Sequence, residues 1–159
     1  QKVLKEAIHH LNEHRKNEGL SLEADLLLRV SNIENHQAAL TILAPKRRIK
    51  IKEGLVKLLE EQVGKENYDS NRLEQELIYY FEKLDITEEK VRLTAHCKLF
   101  MDTMNAPESQ GRKLNFIGQE MGREINTIGS KANHAEIQKI VVEMKDELEK
   151  IKEQLFNIL

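Results

Sequence analysis

A run of apolar residues on a single helical face most constrains this chain. At 100° per residue, Leu4, Ile8, Leu11, Leu22, Leu26, Ile33 and Leu40 fall within one arc narrower than a quadrant. The pattern holds to Leu43, where Ala44-Pro45 is the expected stop because proline disfavours αR in the residue before it. That predicts a first helix of about 40 residues, or about 60 Å at 1.5 Å per residue. Gly19 weakens its middle by about 1 kcal/mol relative to Ala without ending the pattern. A small domain cannot cover such a rod along its length, so other subunits or a further domain are expected against it. With only two prolines and seven glycines in the whole chain to interrupt them, long helices are the default throughout.

A second helix is predicted over 46–62, a third from Arg72 to Leu84 capped by Asp69 or Ser70, and a fourth from Thr87, as N-cap, to about Met104. The stretch from Asn105 to Gly111 is the clearest loop. A fifth helix follows from Arg112 to Ile128, with Gly129 as its C′ residue, and Asn133 with Glu136 resembles a capping box for the last. In that last helix Ile137, Val141, Met144, Leu148, Ile151, Leu155 and Ile158 alternate fours and threes, as in a coiled-coil seam. Sustained period-2 alternation is absent. The expected fold is all-α, with helical hairpins, divided into a central long-helix region 1–105 and a C-terminal region 106–159. The chain opens on Gln1, without an initiator Met and already in helical pattern, which reads as a piece of a longer protein.

Composition narrows the function. Charged residues make up 33% of the chain, which suits solvated helices, and the net charge of −2 excludes nucleic-acid binding by bulk charge but not by a local groove. Aromatics at 4%, with no Trp, argue against base-stacking modules of the RRM type. One cysteine, Cys97, forbids an internal disulfide framework and suits a reducing cytosol. The apolar runs are too short to span a membrane. Gly-rich phosphate loops, zinc signatures and Ser/His/Asp constellations do not occur.

Charges that sit badly on their helices are the remaining signal. Arg15, Glu18, Arg29 and His36 lie within the leucine arc of the first helix, with Asp25 at its edge. Such charges cost several kcal/mol unless paired or wet, so they mark structural salt bridges, a helix that leaves its partner midway, or the wall of a polar cleft. On the fifth helix Glu120, Arg123, Glu124, Thr127 and then Lys131 stack beside the apolar face. Two carboxylates one turn apart can share a hard divalent cation, and an adjacent Arg can neutralise a phosphate; an ordinary solvated face is the competing account, favoured by spacing alone. His10 and His14 are four apart but lack a third ligand. Lys46-Arg47-Arg48-Ile49-Lys50-Ile51-Lys52 is the one strong basic cluster, able to contact several phosphates.

The segment Gly111-Arg112-Lys113-Leu114-Asn115-Phe116-Ile117-Gly118-Gln119-Glu120-Met121-Gly122-Arg123-Glu124-Ile125-Asn126-Thr127-Ile128-Gly129-Ser130-Lys131 resembles the C-terminal signature G-R-K-L-x-F-x-x-Q-E-x-x-R-E-x-N-T-x-x-S-K of the YicC/YloC family of bacterial endoribonucleases. The segment from Arg15 to Leu26 is similar to that family's R-x-x-E-G-x-x-L-x-x-D-L stretch. Arg72, Leu73, Gln75, Glu76, Asp85, Ile86, Glu88, Glu89, Arg92, Leu93 and His96 match another. The resemblance implies a cytoplasmic bacterial enzyme that cleaves RNA internally with a divalent metal, Mn²⁺ or Mg²⁺, assembled as a hexamer. It also implies an N-terminal domain of about a hundred residues or more that this chain lacks. On that reading Glu120 and Glu124 hold the metal with Glu76 as third carboxylate, His96 is general acid or base, and Arg123 grips the scissile phosphate. Arg15, Lys46, Arg47, Arg48, Lys50, Arg112, Lys113 and Lys131 are then the candidate RNA contacts. The alternative is an RNA-binding and oligomerisation module whose catalysis needs the absent domain.

Overall fold

The computed structural model describes residues 2–64, 67–106, 110–132 and 134–158, with side chains to Phe156. They form α1 (Lys2–Val63), α2 (Ser70–Lys83), α3 (Thr87–Met104), α4 (Gly111–Lys131) and α5 (Ala135–Ile158), with no strand among the described residues. The all-α expectation holds.

Pro45 does not end the first helix. α1 runs 62 residues, about 93 Å, and absorbs the segment expected as a separate second helix. Proline removes one backbone donor and so forfeits the bond to the Thr41 carbonyl. Thr41 and Pro45 are both exposed, so water can take that carbonyl. Leu40 and Arg47, buried on either side, anchor both halves.

α1 packs against α5 and α3, α3 against α4, and α4 against α5, closing a ring of four helices around one core. That core joins Leu26, Val30, Ile33 and Leu40 of α1 to Leu93 and Phe100 of α3 and to the apolar faces of α4 and α5. Regions 1–105 and 106–159 therefore contribute to the same core. The seam of α5 is buried at every described position from Ile137 to Leu155, at the spacing the sequence predicts. The stripe on α1 is buried only in part. Its first twenty residues project beyond the bundle, with Leu4, Ile8 and Leu11 each about half or more exposed. α2 lies outside the ring, and Leu77 is its buried residue.

Local signals are met unevenly. Asp69 caps α2, accepting from the Asn71 and Arg72 amides at 2.8 and 3.3 Å. Thr87 is not a cap: the Asp85 carboxylate accepts from its amide and its hydroxyl at 3.3 and 2.8 Å, which makes Asp85 the organiser of that turn. Gly129 does not end its helix either, since α4 continues to Lys131. A Cβ at Gly129 would stand 3.0 Å from Val141 Cγ1, and one at Gly122 would stand 3.1 Å from Leu148 Cδ2. Seven residues apart, the two glycines let α5 approach the α4 backbone. The proposed cap at Asn133 lies outside the described residues, as does the loop segment 107–109.

A bulky side chain at this contact should separate α4 from α5. Gly129→Leu is expected to lower stability by about 1–3 kcal/mol through overpacking. Adding Val141→Ala should recover part of the loss, read as the shift in urea midpoint.

Candidate active site

Two ion pairs fix how α3 lies on α4. Lys131 Nζ reaches Glu89 Oε1 at 2.6 Å, and Arg92 Nη1 stands 3.9 Å from Glu124 Oε1. Advancing along α3 means retreating along α4, so the helices are antiparallel. One turn past Arg92, the same register brings His96 to the level of Glu120, one turn before Glu124. Sequence blocks far apart in the chain thus meet on one seam.

Within it, the Glu124 side chain is only 7% exposed while that of Glu120 is 20% exposed, and Glu120 pairs with Arg123 at 3.4 Å. Arg123 itself points outward, and Arg92 is shared between Glu124 and the exposed Glu88. The Glu124 carboxylate thus lies nearly buried beside one guanidinium and receives no hydrogen bond from it. Cys97, next to His96, is buried, and desolvation pushes its thiol up to about 12. It is therefore no nucleophile at neutral pH.

Glu76 does not join this seam. It is exposed on α2, beside a groove lined by Ile51, Leu55, Leu73, Leu77 and Tyr80, because α2 lies outside the helix ring. Among the described residues no three His, Cys, Asp or Glu side chains converge as metal ligands.

The basic residues divide. Lys46, Arg48, Lys50, Arg112 and Lys113 are exposed, and the Arg48 guanidinium stacks 4.8 Å from the Phe81 ring centroid. Arg47 is a correction: it is 3% exposed and donates to the backbone oxygens of Leu84 and Lys131, at 3.1 and 3.3 Å. It ties helix ends together and offers nothing to RNA. Lys131 is likewise engaged by buried Glu89. Glu89, one of the family-matched residues but not among the candidate site residues, is buried because its position four before Leu93 puts it on the core face of α3.

The misplaced charges of α1 also resolve. Arg29 bonds Asp25 at 2.9 Å and Glu147 at 3.3 Å, Asn32 donates to Glu147 at 3.1 Å, and His36 faces Glu143 at 3.4 Å. These are structural pairs on the α1–α5 seam. Arg15 and Glu18 lie beyond it, on the stretch where α1 leaves the bundle, and line a groove with Asp25, Arg29 and Gln154.

A further groove of about 580 Å³ runs along the outer side of α4, lined by Gln119, Gly122, Arg123, Asn126, Thr127 and Ser130, with Lys152 from α5.

Residues 38–159 match the family described as "Endoribonuclease YicC-like, C-terminal". The chain belongs to this family. It is 38% identical over 160 residues to the Clostridioides difficile protein named "Probable endoribonuclease YicC", an alignment covering 98% of the chain and 54% of that protein. It is 39% identical over 92 residues to the Haemophilus influenzae protein of the same name, covering 58% of the chain and 32% of that protein. The chain therefore spans about half the length of the longer-matching relative. The YicC-like region begins inside α1 and takes in all of α2 to α5. No helix among the described residues is long and apolar enough to cross a membrane.

The α1–α5 seam predicts a pH dependence. Burial alone would push Glu147 up, but hydrogen bonds from Asn32, Lys150 and Arg29 outweigh it and hold the carboxyl below its ordinary value of 4.5. A depressed folded-state pKa stabilises above the unfolded value, and that stability is lost as pH falls through the folded one. Glu147→Gln should therefore be less stable at neutral pH and lose less on acidification to about pH 3. Urea denaturation of both proteins at the two pH values checks this.

Proposed function

We propose that this chain carries the RNA-cleaving centre of an endoribonuclease, on the α3–α4 seam. The observation that carries the reading is the nearly buried Glu124 one turn from Glu120, with Arg92 beside it and His96 at the same level. Glu120 and Glu124 would hold a divalent cation. An all-oxygen pair suits Mg²⁺ or Mn²⁺, which keep several waters and need only one or two carboxylates, so a third protein ligand such as Glu76 is not required. When bound, the cation supplies activation of a water or ribose hydroxyl and charge neutralisation at the phosphate. The protein's own contribution is separate. His96 is placed to take or give a proton, being the group on the seam whose ordinary pKa lies near neutrality. Arg123 is long and exposed, and can leave Glu120 for the scissile phosphate, gripping it in a two-pronged contact.

A second reading, a binding and assembly module, is favoured by the projecting half of α1. Leu4, Ile8 and Leu11 there form one exposed apolar line, and contiguous apolar surface of this kind marks interfaces. The two readings are compatible: self-association, up to the hexamer that the family resemblance implies, would cover the stripe.

Labelled RNA incubated with the full-length protein and Mn²⁺ tests the first reading. Glu120→Gln with Glu124→Gln should abolish cutting, as should EDTA, and His96→Ala should slow it by about 100-fold or more. Unchanged cleavage by the carboxamide pair would remove the metal assignment. For assembly, light scattering at micromolar concentration should give a mass above 18.5 kDa for this chain, and Leu4→Glu with Leu11→Glu should reduce it. A clean monomer would sink the interface.

A further inference from the structure

The outward face of α4 has a composition that the seam chemistry leaves unexplained. At 100° per residue, Arg112, Phe116, Gln119, Arg123, Asn126 and Ser130 fall within an arc of about 80°, and all six are exposed. No carboxylate lies in that arc. Glu120 begins at its edge, and Glu124 is turned further round, toward α3. From Arg112 to Ser130 the face is about 27 Å long, enough for several nucleotides. Its central part is the wall of the groove that Lys152 closes from α5.

Each component matches what an unpaired RNA strand presents. Amide and hydroxyl side chains together with cations are the usual partners of phosphate and sugar oxygens. Arg123 is 72% exposed and Lys152 is 37% exposed; their present partners, Glu120 at 3.4 Å and Glu149 at 2.8 Å, are solvent-facing pairs of little worth that an incoming phosphate can displace. Phe116 is 61% exposed although the core has ample apolar positions on the same helix. An aromatic ring in a row of neutral donors is a platform for a base, and base stacking needs a base free of a duplex. On α5, Phe156 is 83% exposed one turn beyond Lys152. The Gly122–Leu148 approach sets a register that brings it to the same end of the groove as Phe116.

We propose that this groove holds single-stranded RNA, with Arg123 and Lys152 on phosphates, Gln119, Asn126 and Ser130 along the sugar–phosphate edge, and Phe116 under an unpaired base. The inference rests on the nuclease reading and adds the substrate form and a positioning residue to it. A strand lying there runs beside Glu120, whose helix turn borders the groove, so the stacked base would fix which phosphate reaches the seam.

Fluorescence anisotropy of the chain with a labelled, unstructured oligoribonucleotide in EDTA tests it. Phe116→Leu keeps an apolar side chain at an exposed position and removes the ring. It should weaken binding about ten-fold, within the range of a lost base–aromatic stack, while thermal unfolding stays unchanged. One abasic substitution, scanned along the oligonucleotide, should cost the wild type a similar factor and cost Phe116→Leu nothing more. Lys152→Gln should lower the slope of log affinity against log salt by about one. Equal affinity of wild type and Phe116→Leu would overturn the proposal, as would abasic and Phe116→Leu losses that simply add. So would a change in oligomeric state with RNA affinity intact, which would make Phe116 a protein contact. If the full-length protein cuts RNA and Phe116→Leu binds it normally, the groove assignment falls and the nuclease reading stands. If wild type neither binds nor cuts, both fall.

Discussion

The end-to-end fixing of this bundle depends on one buried guanidinium. Arg47 donates to the Leu84 carbonyl after α2 and to the Lys131 carbonyl at the end of α4, two of the oxygens that helix termini leave without intrahelical partners. Burial pushes its pKa down from the ordinary guanidinium value. A cation is also favourable at helix C-termini, where the backbone dipole is negative. Lys131 in turn reaches Glu89 at the start of α3. Through three residues, α1 is therefore tied to the ends of α2 and α4 and to the beginning of α3. That tie sets the register from which Arg92 meets Glu124 two turns further along. The proposed catalytic seam is placed by a structural contact about 10 Å away along the helix, at 1.5 Å per residue.

This explains why a helix could run through Pro45. Ending α1 at Ala44 would free Arg47 from the position its two carbonyl partners require. The cost of an interior proline, about 3 kcal/mol, is borne because Leu40 before it and Arg47 after it are both buried. The rule that proline ends a helix is local, and no local rule sees carbonyls 37 and 84 residues away. The same limit accounts for Gly129. A glycine near the end of an apolar pattern reads as a C′ residue, but here its missing side chain is filled by Val141 of the next helix. By contrast, the apolar periodicities of α4 and of α5 as far as Leu155 were legible, because the faces they predict depend only on helical geometry and on there being a core to meet; the Ile158 side chain lies outside the described residues.

The candidate site was legible in its members and less so in their arrangement. Glu120, Arg123 and Glu124 stand out at i, i+3, i+4 spacing, and the family signature marks the same positions. Helical phase sets Glu124 nearer the apolar face than Arg123, but how nearly Glu124 is enclosed, and by Arg92, comes from the packing of α3. Glu76 matched a motif, but it belongs to the one helix outside the ring. Arg47 and Lys131 illustrate the opposite error. In a basic cluster every cation reads as available, whereas Arg47 falls seven residues after Leu40 and so returns to the buried face of α1. Helical phase was the signal that separated it from Lys46, Arg48 and Lys50.

α4 then does two things at once because a helix has enough circumference for both. Its apolar side fills the core, and its two glycines bring α5 close. What remains exposed is split into a carboxylate edge facing α3 and a neutral-to-basic face turned to solvent. For cutting a polyanion that partition matters. Carboxylates able to hold a cation repel phosphates when no cation is bound, so a strand must be gripped where they do not dominate the potential. Placing the grip and the acids on one rigid helix, about 60° to 100° apart in phase, fixes their separation without relying on a loop. A strand held along Gln119, Arg123 and Asn126, as proposed, would pass close to Glu120, which pairs with Arg123 at 3.4 Å. The negative net charge fits the proposal: bulk charge does not hold RNA, so on this reading binding rests on local surface such as this face.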